Sequence, residues 1–286
     1  MSTRSRLTPI LLIVAVLMLV QLACSFSVDT GASTATATVP AAPTTAPTAL
    51  PIATQPPAAT QAPAAATCSS ATFTLDPSIA ASTNGVIIPQ PTQDPNGTPW
   101  AILPQYVTYS FNGYPLQGTL LTPLIDIIPV ASLNTFNPQL GQEATDLKSL
   151  LTAKQVAANA NIPFLPPYEA AQVFHAQVSF LNFQNGSGVR FVTQYDQAYM
   201  PISNHEVFYT FQGLTSDGNC YVAILLPVSN PNLQANDTIP GDYTTFNNNF
   251  PTYLTSIVNM LNSQAANTFT PHLDVLDQFV SSLTVQ

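Results

Sequence analysis

His175, His205 and His272 are the whole imidazole supply of this 286-residue chain. No two of them have the HxxxH spacing, and no cysteines the CxxC spacing, that sets two metal ligands side by side. Motif spacing therefore gives no reason to expect a metal or a cofactor. On strand alternation His175 shares a face with Gln177 and Ser179, opposite Phe174, Val178 and Phe180, and reads as a solvated strand residue. His205 precedes Glu206 at a strand start. His272 falls in a first helical turn, where Asp274 is the better-placed charge. Ser187 stands in Gly-Ser-Gly, but the Gly-x-Ser-x-Gly elbow is absent, and a hairpin turn is not a strand-to-helix elbow. A Ser-His-Asp set drawn from distant positions stays open, because such members need not be neighbours in sequence. Asp94-Pro95-Asn96, Asp217-Gly218-Asn219 and the stretch 237–242 are oxygen-rich loops that could hold calcium. Turn chemistry alone explains all three.

Arg190 lies in a strand, with His175 across a hairpin and Asp196 and Glu206 nearby in sequence. A cross-strand ion pair is expected, with carboxylate binding as the sharper alternative. Asp126 is the one acid in the apolar run Leu124-Ile-Asp-Ile-Ile128. It calls for an edge position or a hydrogen-bonded partner. Phe174, Phe180, Phe183, Phe191 and Phe208 belong mostly to a core, and aromatics left on an outer face would offer a partner surface. Beyond residue 24 only Lys148, Lys154 and Arg190 face the 14 acidic residues of the chain. Without clustered Lys or Arg, electrostatic binding to nucleic acid or to an anionic membrane surface is excluded.

Met-Ser-Thr-Arg-Ser-Arg is followed by an apolar run from Leu7 to Val20, then Gln21-Leu22-Ala23-Cys24. A basic tip, an apolar segment shorter than the ~20 residues of a span, and a small residue before cysteine resemble a bacterial lipoprotein signal peptide. The resemblance covers 24 residues. It implies removal of residues 1–23, acylation of Cys24 and attachment to a membrane through that lipid, with the domain on the extracytoplasmic face. An uncleaved anchor, or cleavage without lipid, is also open at these residues. Each of the three exports the remainder of the chain. If Cys24 takes the lipid, Cys68 and Cys220 remain as a pair in an oxidising compartment. Their bridge would close a loop of about 150 residues, worth roughly 4–5 kcal/mol. Two separate thiols are the alternative.

From Ser25 to Thr67 the chain is Ala, Thr, Pro and Ser, with prolines at 40, 43, 47, 51, 56, 57 and 63. Such a segment cannot bury enough apolar surface to order itself, and residues 24–67 read as a disordered stalk. Val28-Asp29-Thr30-Gly31-Ala32-Ser33 is similar to the active-site loop of aspartic proteases. That chemistry needs two aspartates braced by a sheet, and the chain has no second Asp-Thr-Gly or Asp-Ser-Gly.

The elements that would position any site lie in residues 68–286, one extracytoplasmic domain. Residues 68–105 look like an irregular lead-in. Tyr106–Phe111 and Leu120–Val130 form an N-terminal strand pair around Asn112-Gly113. Asn137-Pro138 caps a helix with Leu140, Ala144, Leu147 and Leu151 on one face. Val173–Phe183, Val189–Tyr195, Glu206–Leu214 and Cys220–Val228 alternate around short turns, which predicts a four-strand antiparallel meander. A helix from Pro251 buries Leu254, Ile257, Val258 and Leu261. Another, capped at Thr270-Pro271, buries Leu273, Leu276, Val280 and Leu283. Val107–Gly113 with Ile127–Val130 echoes Val207–Gly213 with Leu225–Val228, a pattern that duplication or plain hairpin physics would produce. The final strands and Asp277-Gln-Phe-Val-Ser-Ser-Leu-Thr-Val285 resemble the PsbP-like domains, non-catalytic accessory proteins. That resemblance covers less than half of the chain and carries over no site residue. The expected class is α+β: a twisted antiparallel sheet with helices on one face. The expected role is a tethered, non-enzymatic module that binds an envelope protein, a glycan or a small molecule. An exported hydrolase is the alternative.

Overall fold

The computed structural model describes residues 65–92, 103–157 and 160–286. Cys24, the signal segment, the Asp29 loop, the stalk up to residue 64 and Asp94-Pro95-Asn96 lie outside the described residues.

The strands are β1 (Ala71–Thr72), β2 (Ser82–Ile88), β3 (Tyr106–Asn112), β4 (Leu124–Pro129), β5 (Ala171–Gln172), β6 (Ala176–Phe183), β7 (Gly186–Thr193), β8 (Tyr195–Asp196), β9 (Phe208–Thr215), β10 (Cys220–Pro227) and β11 (Thr284–Val285). The helices are α1 (Val130–Phe136), α2 (Pro138–Ala153), α3 (Tyr243–Ser263) and α4 (Leu273–Ser282). Seven strands form one antiparallel sheet in the order β2-β3-β4-β10-β9-β7-β6, while β1 pairs with β11 and β5 with β8. The class is α+β, and β6-β7-β9-β10 is the meander that turn residues announce. Gln184 and Asn185 close the first hairpin, and Asp217 organises the second by accepting from Thr215 Oγ1 at 2.6 Å and from the Asn219 amide at 3.0 Å.

The helices occupy both faces of the sheet rather than one. Every residue of β9 and β10 is buried, so alternation sends Val222, Ile224 and Leu226 into one core and Tyr221, Ala223 and Leu225 into another. The first core is covered by α3 and α4 through Leu261, Leu273, Leu276, Phe279 and Val280. The second is covered by α1 and α2 through Leu133, Leu140, Ala144 and Leu147. A strand buried on both faces shows an unbroken apolar run, and such a run does not announce a second layer of helices. The echo between the halves breaks on the same point. Tyr109 and Tyr209 both face the α4 side, but Ile127 faces that core while its counterpart Leu225 faces the other.

Three further features differ from expectation. β2 lies within the lead-in and pairs along its full length with β3. Its exposed Val86 and Ile87 disguise it, because an edge strand with one covered side lacks a buried stripe. α3 starts at Asp242, whose carboxylate accepts from Thr244 N at 2.9 Å and Thr245 N at 3.2 Å, so Pro251 sits inside the helix and not at its first turn. Asp126 is not at an edge: β4 runs between β3 and β10, and Asp126 is 2 % exposed.

Cys68 and Cys220 form a disulfide across 152 residues, joining the start of the described chain to the first residue of β10. Arg190 makes a different ion pair from the one expected. Its Nε and Nη2 donate to the two carboxylate oxygens of Asp277 on α4 at 2.9 and 2.6 Å, and Nη1 donates to the carbonyl of Gln177. Tyr209 OH donates to the same Asp277 at 3.0 Å. Arg190 shares a face with Val192, which looks towards α4, whereas Asp196 stands on β8 beyond the end of β7.

Candidate functional site

A cleft of about 910 Å³ opens between α2 and the segment 161–172. Asn137 starts its helical wall, with its side-chain oxygen accepting from Gln139 N at 2.9 Å and Pro138 in the first turn. Its floor is aromatic. Phe164 packs on Tyr195 with ring centroids 4.7 Å apart, and Tyr168 lies 5.6 Å from Tyr195. Two polar side chains pin the opposite wall through three hydrogen bonds. Glu143 accepts from Phe164 N at 3.1 Å, Gln172 accepts from Ile162 N at 3.0 Å, and Gln172 donates to Tyr195 OH at 2.9 Å. From behind, Gln212 on β9 accepts from Leu165 N at 3.0 Å and from Tyr221 OH at 2.7 Å. Burial raises the Glu143 carboxyl, and nearby Asp146 adds to that rise, against the lowering effect of the Phe164 amide. Burial likewise raises the Tyr168 and Tyr195 phenols.

A second hollow of about 410 Å³ shares Tyr168, Ala170 and Tyr195 with the first. Asp196, Glu206 and Asp237 line it. His205 joins them: one ligand atom each from His205, Glu206 and Asp237 lies within 4.8 Å of the others, and His205 Nδ1 is 3.8 Å from Glu206 Oε1. Glu206 is pushed up to about 7, first by burial, then by the charge of Asp196, by a proton shared with it, and by the charge of Asp237. Asp196 is also raised, chiefly by burial.

The remaining sequence candidates do not assemble. His175 is half-buried just before β6, beside a bulge at Gln177 (φ +56°) that breaks the expected alternation, and burial lowers its imidazole. His272 is exposed at the N-cap of α4. Ser187 sits within β7 opposite Leu214. Asp217 spends its oxygens on Thr215, Asn219 and the amide of Ala66, so turn chemistry accounts for it. Asp242 is spent on its helix cap. Ser203 lies two residues from His205, but its hydroxyl is wholly buried and out of reach of a substrate. What sequence reasoning missed is the meeting of His205-Glu206 with Asp237, some 30 residues on, and the cleft behind α2. The Glu206-Asp237 pairing carries no motif spacing. No family model, curated protein or solved structure matches this chain.

Proposed function

We propose that the chain is a membrane-tethered extracytoplasmic lipoprotein whose folded domain is a binding module rather than an enzyme. The observation that carries this reading is the Cys68–Cys220 disulfide. A bridge of this kind persists in oxidising compartments. It also leaves Cys24 as the one cysteine of the three outside the pair, which is what lipidation requires. No helix among the described residues is long and apolar enough to cross a membrane, so the tether falls to the N-terminal segment in this reading.

The ligand seat in this reading is the cleft above Phe164, Tyr168 and Tyr195, whose volume suits a small molecule or a short stretch of polymer. Its lining offers amides and the carboxylates of Glu143 and Asp146, with no Lys or Arg among the described lining residues. It therefore favours a neutral or cationic, hydrogen-bonding ligand over an anion.

The tether is tested by replacing Cys24 with Ala and following acyl labelling and membrane partition. The expected result is loss of both label and membrane retention. Wild-type protein that stays in the membrane without label would mean an uncleaved anchor. The cleft is tested by comparing full-length protein with Tyr168→Ala for retention of envelope material. Equal retention would remove the cleft from the proposal.

A further inference from the structure

We propose that His205, Glu206 and Asp237, with Asp196 at the rim, bind a divalent cation of the zinc or manganese type. The site goes beyond the binding cleft and stands independently of it. The convergence is geometric: one ligand atom from each of the three residues lies within 4.8 Å of the other two. A cation held at about 2.0–2.2 Å sets its ligands roughly 3–4 Å apart, so small rotations of these side chains close the shell.

A second observation points to a ligand. Four buried side-chain atoms lack a hydrogen-bond partner among the described residues: Asp126 Oδ1, Ser203 Oγ, His205 Nδ1 and Glu206 Oε2. Three of the four fall within 203–206, and two belong to the converging residues. Glu206 is 9 % exposed, and the group its carboxyl shares a proton with is another acid, Asp196; no N–H or hydroxyl donor among the described residues reaches its Oε2. Buried polar atoms normally find a partner, and an unpaired imidazole nitrogen beside a buried carboxyl that meets only another acid is an arrangement a cation satisfies at once. The neighbouring carboxylates of Asp196 and Asp237 make the hollow more favourable still for positive charge.

The framework is laced together before any ion arrives. Asn204 N donates to Gln234 O at 2.9 Å, and Asn204 Nδ2 donates to the carbonyls of Asn230 and Leu233 at 3.1 and 3.2 Å. Asn230 N returns a bond to Asn204 Oδ1 at 2.8 Å. The carbonyl of His205 itself accepts from Leu120 N at 2.7 Å. These bonds hold the turn that carries His205 and Glu206 against the loop that carries Asp237. The donor set selects the ion. An imidazole among a few carboxylates suits zinc or manganese, whereas calcium takes six to eight oxygens.

The test titrates metal-stripped full-length protein with zinc sulfate, manganese chloride and calcium chloride, read by calorimetry and by thermal unfolding. One zinc or manganese ion per chain is expected, with a rise in Tm. His205→Ala and Asp237→Asn should each weaken binding at least tenfold, and His175→Ala and His272→Ala should leave it unchanged. If His205→Ala does not fold, the nearly isosteric Glu206→Gln gives the same readout. Absence of saturable binding, equal affinity in the site variants, or a preference for calcium would overturn the proposal.

Discussion

Asp126 shows what one buried group does to this protein. Burial pushes its carboxyl up to about 6, and only the Thr108 side chain opposes that rise. The folded state thus holds the proton more tightly than the unfolded chain, where the value is near 3.8. Stability from this group rises as pH falls from 7 through 6 and is fully present below about 4. Asp126→Asn should stabilise the protein at pH 7 by on the order of 1–3 kcal/mol, given about 1.4 kcal/mol per pH unit of difference. That advantage should vanish near pH 4. Chemical denaturation of both proteins across pH 4–8 checks it, and a constant difference would refute the assignment. At this scale the sequence was half legible: an acid among Leu, Ile and Ile is visible as an anomaly, but its central strand and its unpartnered oxygen are not. His205 and Glu206 were visible as neighbours. Asp237 was not visible as theirs, because a loop crossing from a different part of the chain brings it there.

Among elements, the joint between β7 and α4 rests on Arg190 and Asp277. The Arg190 side chain is 9 % exposed and that of Asp277 22 %, so removing either partner leaves a poorly solvated charge behind. Asp277→Ala should destabilise the protein by roughly 3–5 kcal/mol, and the Arg190→Met/Asp277→Ala double variant should recover part of that loss. A double-mutant cycle in denaturant measures the coupling, and strictly additive losses would mean the pair does not act as a unit. Packing of β7 on β9 is as demanding. A Cβ on Gly188 would stand 2.3 Å from the Phe211 ring and 2.5 Å from the Gln212 carbonyl oxygen. Gly188→Ala should therefore cost about 1–3 kcal/mol, seen as a lower denaturation midpoint. The hairpins were readable because Asn-Gly and Asp-Gly turns bracket them, and α2 was readable because Asn137-Pro138 announces its start. β2 escaped because its residues face mostly solvent. The second helical layer escaped because β9 and β10 are apolar throughout, which conceals the fact that each face has its own cover.

For the molecule as a whole, the covalent link of Cys68 to Cys220 dominates the unfolded ensemble. Its reduction should lower stability by roughly 4–5 kcal/mol, measured as the loss of denaturation free energy in dithiothreitol. A loss below about 1 kcal/mol would show that the reduced chain is already constrained by other structure. The α+β class and the meander could be read without coordinates, since local turns dictate them. The two-faced cover of the sheet and the cleft behind α2 could not, because both depend on which sides of β9 and β10 the distant helices choose.

The position of that bridge also decides how the domain would bear a mechanical load. Chain arriving from the N-terminal side reaches Cys68 before it reaches β1, and Cys68 is bonded to the head of β10, which lies between β4 and β9. Tension from that side therefore enters the middle of the sheet through a covalent bond. The entry point lies away from the edge strand β2 and precedes the short β1–β11 pair. β10 is held there by two ladders, so a load arriving at Cys220 is shared between its hydrogen bonds to β4 and those to β9.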